Sequence, residues 1–536
     1  MDNIIIIGSG PSGLHFALSL LQKGYNVTML DVGYNKQQIP NLEDSFNDLK
    51  RTLKDPVGYF LGEDFQAVIY PDFESEYYGF PPSKDYVFTD TPSNKVKPTG
   101  FAPLFSFAQG GLAEAWTGGS YPFNDEDLQD FPFSYEDIEP YYDEVSDRIG
   151  ITGTKDNLID FFPFHKNLMP PIDLDEHSQV LLESYSGKER FFNDNLGFFL
   201  GRSRTAVLSH DKGQRKKCDY SGRCLWGCPS EALYTPSITL RECMTYPNFS
   251  YIKDNFVSHF KYDSTGKVVS VIARSARSKA INEYKVEKLI LAAGTLSSSR
   301  IFLNSIFFNS GDIITLKGLM DNRQIMAPFL NLKMIGKRYN PDSFQYHQLA
   351  IALKGENTRS HVHGLITTLK TALFHPVIQS IPLDTKTAIG FFRNVHAALG
   401  VVNVNFPDQR RTPNYLTINP DSKTELPELV IHYEVEAGEK NRIKRTMKRL
   451  NKSLRKLGCI MPPGMAHLRP MGASVHYSGT IPMSRKKEPF TVSKYCQSHD
   501  FDNLYIIDGT TFPFLPSKNL TFTLMANAVR VAECAF

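Results

Sequence analysis

The stretch that decides the fold is NIIIIGSGPSGLHFALSLLQKGYNVTMLD, residues 3–31. The isoleucine-rich run Asn3–Gly8 predicts a buried strand of a parallel sheet. Apolar residues then recur at helical spacing over residues 14–21, and Gly24 ends that helix. A second short apolar run predicts a strand over residues 26–30. The chain therefore begins as a strand, a helix and a second strand.

The turn between the first strand and the helix carries three glycines in the pattern G-x-G-x-x-G. Gly8 permits the tight turn, Gly10 lets the backbone approach a pyrophosphate, and Gly13 lets the helix pack closely on the strand. The helix N-terminus offers N–H donors and a positive dipole to phosphates. Asp31 follows the second strand, where an acid accepts hydrogen bonds from ribose hydroxyls. This pattern predicts a dinucleotide-binding domain, for which NAD and FAD fit equally.

The bulk composition limits the classes of function. A length of 536 residues predicts two large domains, and a net charge of +2 gives no support for a nucleic-acid partner. No run approaches the roughly 18 apolar residues that span a bilayer. The N-terminus has an acid where a signal peptide has basic residues. We therefore expect a cytoplasmic protein with no transmembrane segment.

Four later segments carry further patterns. They read AQGGLAEAWTGG at 108–119, KLILAAGTLSSSRIFL at 288–303, VHYSGTIPM at 475–483 and NLYIIDGTTFPFLPSKNLTFTL at 503–524. With the N-terminal GSGPSG, these segments occur in the order found in the glucose–methanol–choline family of FAD-dependent oxidoreductases. The chain resembles that family over its whole length.

The resemblance implies an α/β fold, in which a Rossmann-like FAD-binding domain is interleaved with a substrate domain on a mostly antiparallel sheet. The FAD domain is expected over residues 1–300, with a lid at 35–98 and a substrate-domain insert near 155–205. The substrate domain is expected over residues 301–495. Residues 496–536 are expected to return to the FAD domain.

The resemblance also implies a set of FAD contacts. It places Val257 near the adenine, Trp116 and Thr117 near the flavin ring, and Asp508 near the ribityl chain. The segment Leu112–Trp116 contains no histidine, where some sugar oxidases of the family attach FAD covalently, so we expect non-covalent FAD. The full set of expected FAD-binding residues is Gly8, Gly10, Gly13, Asp31, Gly110, Gly111, Trp116, Thr117, Val257, Ala293, Gly294, Asp508, Gly509 and Thr521.

Oxidation of an alcohol by a flavin requires a base for the hydroxyl proton and an acceptor for hydride. Histidine is the natural base near neutral pH. His476 matches the family's base position, and Asn519 matches the partner position and is expected to orient the alcohol. His467, nine residues before His476, is the alternative histidine.

The substrate class is open at this stage. The resemblance favours a sugar or a sugar-containing compound. A lipid or aromatic alcohol is the alternative, for which Phe374, Phe391 and Phe392 could line an apolar pocket. The same family fold also hosts lyases that keep FAD.

A cysteine-rich segment reads KKCDYSGRCLWGCPSEALYTPS, residues 216–237. It resembles the iron–sulfur segment of bacterial sugar and sugar-acid dehydrogenases, so Cys218, Cys224 and Cys228 are candidate ligands of a cluster. Two other interpretations stay open: buried structural cysteines, and a zinc site completed by His210.

Residues 440–457 predict an amphipathic helix with an apolar stripe and nine lysines or arginines. The helix is typical of a solvated surface. The alternative is docking to an anionic membrane surface or to an acidic electron-acceptor protein.

Overall fold

The computed structural model describes residues 3–35, 43–65, 80–278, 280–368, 378–379, 381–420 and 425–536. The expected lid at residues 35–98 lies partly outside these residues, and Phe374 lies wholly outside them. Within the described part of the chain, no helix is long and apolar enough to cross a membrane.

A five-stranded parallel sheet forms around the first strand. Its order is Leu504–Ile506, Lys288–Leu291, Asn3–Ile7, Asn26–Leu30 and Phe249–Ile252. The isoleucines of the central strand are at most 4% exposed, because neighbouring strands and helices cover it. The predicted strand–helix–strand unit is confirmed, with its helix at Pro11–Gln22.

Gly13 shows why this unit needs glycine. A Cβ at Gly13 would lie 2.4 Å from the carbonyl oxygen of Gly8, so any side chain would push the helix off the strand. Gly8 itself has a φ of +98°, in the region that favours glycine. Both glycines therefore fill the packing roles that the motif predicts.

The two ends of the chain meet at this helix. Pro11–Gln22 packs against the C-terminal helix Thr521–Ala535. Lys23 Nζ donates to the carbonyl oxygen of Ala532 at 3.0 Å. Residues 504–535 thus lie against the N-terminal sheet and helix, where the GSGPSG turn is.

A seven-stranded antiparallel sheet forms a second core. Its strands are Cys459–Ile460, Gln324–Asn331, Leu399–Asn405, Val362–Thr368, Leu349–Leu353 and Phe198–Arg202 in that order, with His467–Leu468 also paired to Gln324–Asn331. The predicted basic helix forms at Glu439–Lys456 and buries Leu450 and Leu454 in this core. Most of its basic residues face solvent.

Two strands that are close in the chain belong to different sheets. Leu399–Asn405 lies in the seven-stranded sheet, whereas Tyr415–Asn419 lies in a four-stranded sheet with Leu316–Lys317, Glu428–His432 and Val96–Thr99. Between them, Asp408–Gln409 pairs with Phe514–Leu515 instead of closing a hairpin.

The remaining strands form small sheets: Phe256–Tyr262, Val268–Arg274 and Ile281–Lys285 in one, and Ile151–Thr152 with Leu168–Met169 in another. The other α-helices are Phe46–Thr52, Pro56–Leu61, Asp85–Phe88, Tyr135–Ile149, Glu176–Ser186, Pro236–Cys243, Thr295–Ser310 and Thr385–Val395.

Candidate active site

A cavity of about 780 Å³ lies between the C-terminal end of the parallel sheet and the seven-stranded sheet. Both candidate catalytic residues, His476 and Asn519, line it. So do most of the expected FAD-binding residues: Gly8, Gly10, Asp31, Gly111, Trp116, Thr117, Val257, Ala293, Gly294, Asp508, Gly509 and Thr521. Gly13 and Gly110 are not among the lining residues, since they support the turns behind the wall.

The two glycine turns meet at one end of the cavity. A Cβ at Gly111 would lie 3.6 Å from Gly10 Cα, and the backbone N–H of Gly110 donates to Ser9 Oγ at 2.9 Å. No atom of the described residues lies closer than 3.9 Å to a Cβ built at Gly10. The backbone is therefore open to a pyrophosphate at this point, as the dinucleotide prediction requires.

Asp31 lies at the same end of the cavity. Its carboxylate accepts hydrogen bonds from the hydroxyl groups of Ser9 and Tyr251. Burial raises the pKa of Asp31 to about 6, although these hydrogen bonds oppose the shift. Asp31 thus offers carboxylate oxygens at the cavity wall, where ribose hydroxyls of a bound FAD could donate.

Asp508 ties the C-terminal loop to the turn before the helix Thr295–Ser310. One carboxylate oxygen accepts from the Gly294 N–H at 2.9 Å and from Ser298, and the other accepts from Thr510. A Cβ at Gly509 would lie 2.4 Å from the carbonyl oxygen of Tyr477. Asp508 and Gly509 therefore bring three of the predicted segments together, and both carboxylate oxygens of Asp508 accept hydrogen bonds.

His476 is buried, with 8% of its surface exposed. Its Nδ1 lies 2.8 Å from Asn322 Oδ1, and its Nε2 lies 3.5 Å from Asn519 Nδ2. Burial, and to a lesser degree the charge of Arg469, lowers the pKa of His476 to about 4. The imidazole is therefore neutral near pH 7, which is the state a general base needs.

Asn322 decides which nitrogen of His476 carries the proton. Its amide N–H groups donate to the carbonyl oxygens of Phe406 at 2.8 Å and Pro516 at 3.0 Å, so its Oδ1 must be the atom that faces the ring. An oxygen acceptor requires a proton on Nδ1. The lone pair is thus on Nε2, which faces the cavity and Asn519.

Asp321 holds the loop that carries His476. Its carboxylate accepts from the backbone N–H of Gly472 at 2.6 Å and from the Ser474 hydroxyl. Ser474 Oγ in turn accepts a hydrogen bond from the backbone N–H of His476 at 3.0 Å. Burial raises the pKa of Asp321 to about 7. Two consecutive residues, Asp321 and Asn322, therefore fix both the loop and the ring.

Sequence reasoning missed Asp321 and Asn322. They follow Met320, which forms a bridge with Ser478 near the base, and no motif marks the stretch. Only the packing of the seven-stranded sheet against the C-terminal loops brings residue 322 to residue 476.

The far wall of the cavity carries polar as well as apolar side chains. Gln324, Thr367 and Asn403 contribute from the seven-stranded sheet, and His347 and Arg469 contribute from loops. Phe391 and Phe392 are not part of the wall: the first is 51% exposed, and the second stacks on His396. The expectation that these two rings line an apolar substrate pocket is therefore wrong.

The structure gives no support for an iron–sulfur cluster on the three clustered cysteines. Cys218, Cys224 and Cys228 share one apolar cluster, yet the described residues contain no group of three His, Cys, Asp or Glu side chains arranged for a metal. Burial raises the pKa of the Cys218 thiol to about 12, which disfavours the thiolate that a metal needs. The cluster and zinc hypotheses thus gain no support from the described residues, whereas the shared apolar cluster fits structural cysteines.

The loop around these cysteines packs on an aromatic group. Trp226 packs against Phe46, Tyr59 and Phe60 in tilted and edge-to-face arrangements, and this group joins residues 43–62 to the cysteine loop. The residues of the cysteine segment are thus used in packing.

Comparison with known proteins agrees with this geometry. Residues 409–528 match the family model described as "GMC oxidoreductase". The chain is 21% identical to 2-methyl-1,2-propanediol dehydrogenase of Mycolicibacterium austroafricanum, covering 99% of this chain and 94% of that protein. It is 21% identical to paromamine 6'-oxidase of Streptomyces fradiae, covering 99% and 90%. It is 20% identical to the fructose dehydrogenase large subunit of Gluconobacter japonicus, covering 99% and 97%.

Solved structures show the same fold. Pyridoxine 4-oxidase from Mesorbium loti superposes with a TM-score of 0.59 at 12% identity, covering 99% of both chains. An FAD-dependent oxidoreductase from Chaetomium thermophilum gives a TM-score of 0.59 at 14% identity, covering 99% of this chain and 98% of that one. The predicted fold class is confirmed.

Proposed function

We propose that this chain is an FAD-dependent oxidoreductase of the glucose–methanol–choline family, and that it oxidises a CH–OH group of a sugar or sugar-containing substrate with His476 as the base. The observation that carries the proposal is the buried, neutral His476, whose Nε2 lone pair faces the cavity beside Asn519.

A bound FAD would supply the hydride acceptor. His476 Nε2 takes the hydroxyl proton, and the amide N–H of Asn519 donates to the alcohol oxygen and orients it. Once His476 is protonated, the Nδ1–H bond to Asn322 Oδ1 stabilises the imidazolium. Burial limits the access of water to the base, because His476 is only 8% exposed in the loop that Asp321 holds.

The polar side chains on the far wall of the cavity favour a hydroxylated substrate. Gln324, Asn403 and Arg469 offer donors and acceptors at the cavity surface. Three relatives are named for a diol, for paromamine and for fructose. A lipid or aromatic alcohol remains the second candidate, without the support of Phe391 and Phe392.

We further propose the division into an FAD domain at residues 1–300 and 496–536, with a lid at 35–98 and a substrate-domain insert near 155–205, and a substrate domain at residues 301–495. FAD is held without a covalent bond, since residues 112–116 contain no histidine. An electron-acceptor protein is a proposed partner, and the basic face of Glu439–Lys456 is a proposed contact for it.

The test of the function is anaerobic bleaching of the flavin by a panel of sugars, diols, aromatic alcohols and long-chain alcohols. We expect sugars or diols to bleach the flavin, with the oxidised product found in equal amount. Turnover of a substrate without any bleaching would indicate a lyase. Bleaching by aromatic or long-chain alcohols alone would overturn the sugar proposal.

Asn322→Asp should move the pH dependence of the reaction. A carboxylate beside Nδ1 stabilises the imidazolium, so the pKa of His476 rises from about 4. Because the base acts when neutral, activity is lost below its pKa. The acid limb of kcat/KM should therefore shift upward by about one pH unit or more.

Asn322→Leu should lower kcat by about tenfold or more at every pH, since nothing then holds the tautomer of His476. Asn419→Asp, at an exposed strand end, is the matched control and should leave the pH profile unchanged. An unchanged acid limb in Asn322→Asp would show that His476 is not the group that titrates.

A further inference from the structure

Two polar atoms near His476 have no use in the mechanism described so far. Among the described residues, His347 Nε2 and Asn519 Oδ1 have no hydrogen-bond partner. Both residues line the cavity, and His347 is only 3% exposed. A buried polar atom without a partner costs free energy, so such atoms at a cavity wall indicate a ligand group that satisfies them.

Gly119 lies beside both atoms. A Cβ built at Gly119 would be 3.0 Å from Asn519 Oδ1 and 3.4 Å from His347 Nε2. The backbone of Gly119 is outside the left-handed region, so its conformation does not require glycine. The missing side chain instead leaves a space that both polar atoms border, and Gly119 itself lines the cavity.

The direction of the Asn519 amide follows from His476. Since Nε2 of His476 carries the lone pair, the amide group that faces it is the donor Nδ2. The acceptor Oδ1 is therefore turned toward Gly119. Burial lowers the pKa of His347 to about 4, so its ring is neutral and can donate or accept at Nε2.

We propose that His347, Gly119 and Asn519 form a subsite for a second hydroxyl or amino group of the substrate, on the carbon next to the reacting carbinol. The two substrate groups are neighbours because one amide binds both, with Nδ2 toward the reacting oxygen and Oδ1 toward the second group. The enzyme thus selects 1,2-diols and 1,2-amino alcohols over simple alcohols. This inference rests on the proposed function.

The test compares substrate pairs that differ by one hydroxyl: 1,2-propanediol with 1-propanol, and D-glucose with 2-deoxy-D-glucose. The rate of anaerobic flavin reduction gives kcat/KM for each member with the holoenzyme. We expect the hydroxylated member to be preferred by about tenfold or more, since its absence leaves two buried polar atoms unsatisfied.

Two variants remove the subsite in different ways. His347→Leu removes the ring nitrogen, and Gly119→Ala places a methyl group in the space between the two atoms. In both, we expect the preference to fall to near onefold. Gly390→Ala is the matched control, since no atom lies within 4 Å of its Cβ position, and it should keep the preference.

Flavin absorption and the thermal unfolding midpoint show whether each variant is folded. If His347→Leu loses FAD, the substrate preference of Gly119→Ala is used as the test instead. Equal rates within each pair for the wild type, or variants that keep its preference, would overturn the subsite while leaving alcohol oxidation intact. If no alcohol of any kind bleaches the flavin, the proposed function fails and the subsite fails with it.

Discussion

Replacing His476 by alanine should lower kcat for alcohol oxidation by about 10²–10⁴-fold, the usual contribution of a general base. The reason is that the variant keeps the cavity and Asn519 but has no group to take the hydroxyl proton. Flavin reduction, measured by anaerobic rapid mixing, reports this step directly. FAD should stay bound, because none of the expected FAD contacts depends on the His476 ring.

The control is His432→Ala, which removes a partly buried histidine of the four-stranded sheet whose Nε2 lies 3.0 Å from Glu434 Oε1. It should keep the wild-type rate. Added imidazole should restore part of the activity of His476→Ala by entering the space the ring leaves. A variant that reduces flavin as fast as the wild type would exclude His476 as the base, and His467, at the exposed rim of the same cavity, would be examined next.

The parts of the site that the sequence predicts are those where function is set by the backbone. Gly8, Gly10 and Gly13 occur within six residues, and the turn they form follows from local sterics alone. The strand and helix around them form close to the predicted positions, at Asn3–Ile7 and Pro11–Gln22, since their apolar spacing is regular. The resemblance to a family also predicts that distant segments meet at one cavity, and residues 293–294 and 508–509 both line it.

The parts that were missed depend on side chains from different sheets. Asn322 contacts His476 although the two are 154 residues apart in the sequence. His347 and Asn519 come close to each other only beside Gly119. No local sequence pattern predicts such contacts. The cysteine segment differs, because its three thiols are close in sequence and share an apolar cluster, and burial raises the pKa of the Cys218 thiol.

The second large effect is on stability, and we expect it from Lys518→Met. Lys518 and Asp127 are both fully buried, and the ammonium group donates to the carboxylate and to the carbonyl oxygen of Pro122. Burial lowers the pKa of Lys518, and the charge of Asp127 opposes that shift. Removing the lysine leaves a carboxylate without its counter-charge, which should lower the free energy of unfolding by about 3–5 kcal/mol.

The double variant Lys518→Met/Asp127→Asn separates the charge from the packing. It buries no net charge and keeps an oxygen that can accept from the Asn124 N–H. Because a buried ion pair contributes little once both charges are removed together, we expect denaturant unfolding to show most of the lost stability recovered. A double variant as unstable as Lys518→Met would mean that packing, not the uncompensated charge, causes the loss.

The same pair also positions the active site, since Lys518 precedes Asn519 in the chain. If the ion pair fixes this segment, Lys518→Met should raise KM as well as lower stability, because Asn519 would no longer be held at His476. The double variant should recover stability more than KM, since an asparagine cannot replace the short ionic contact that anchors residue 518. Equal recovery of both would show that the pair supports the fold and has no separate effect on the position of Asn519.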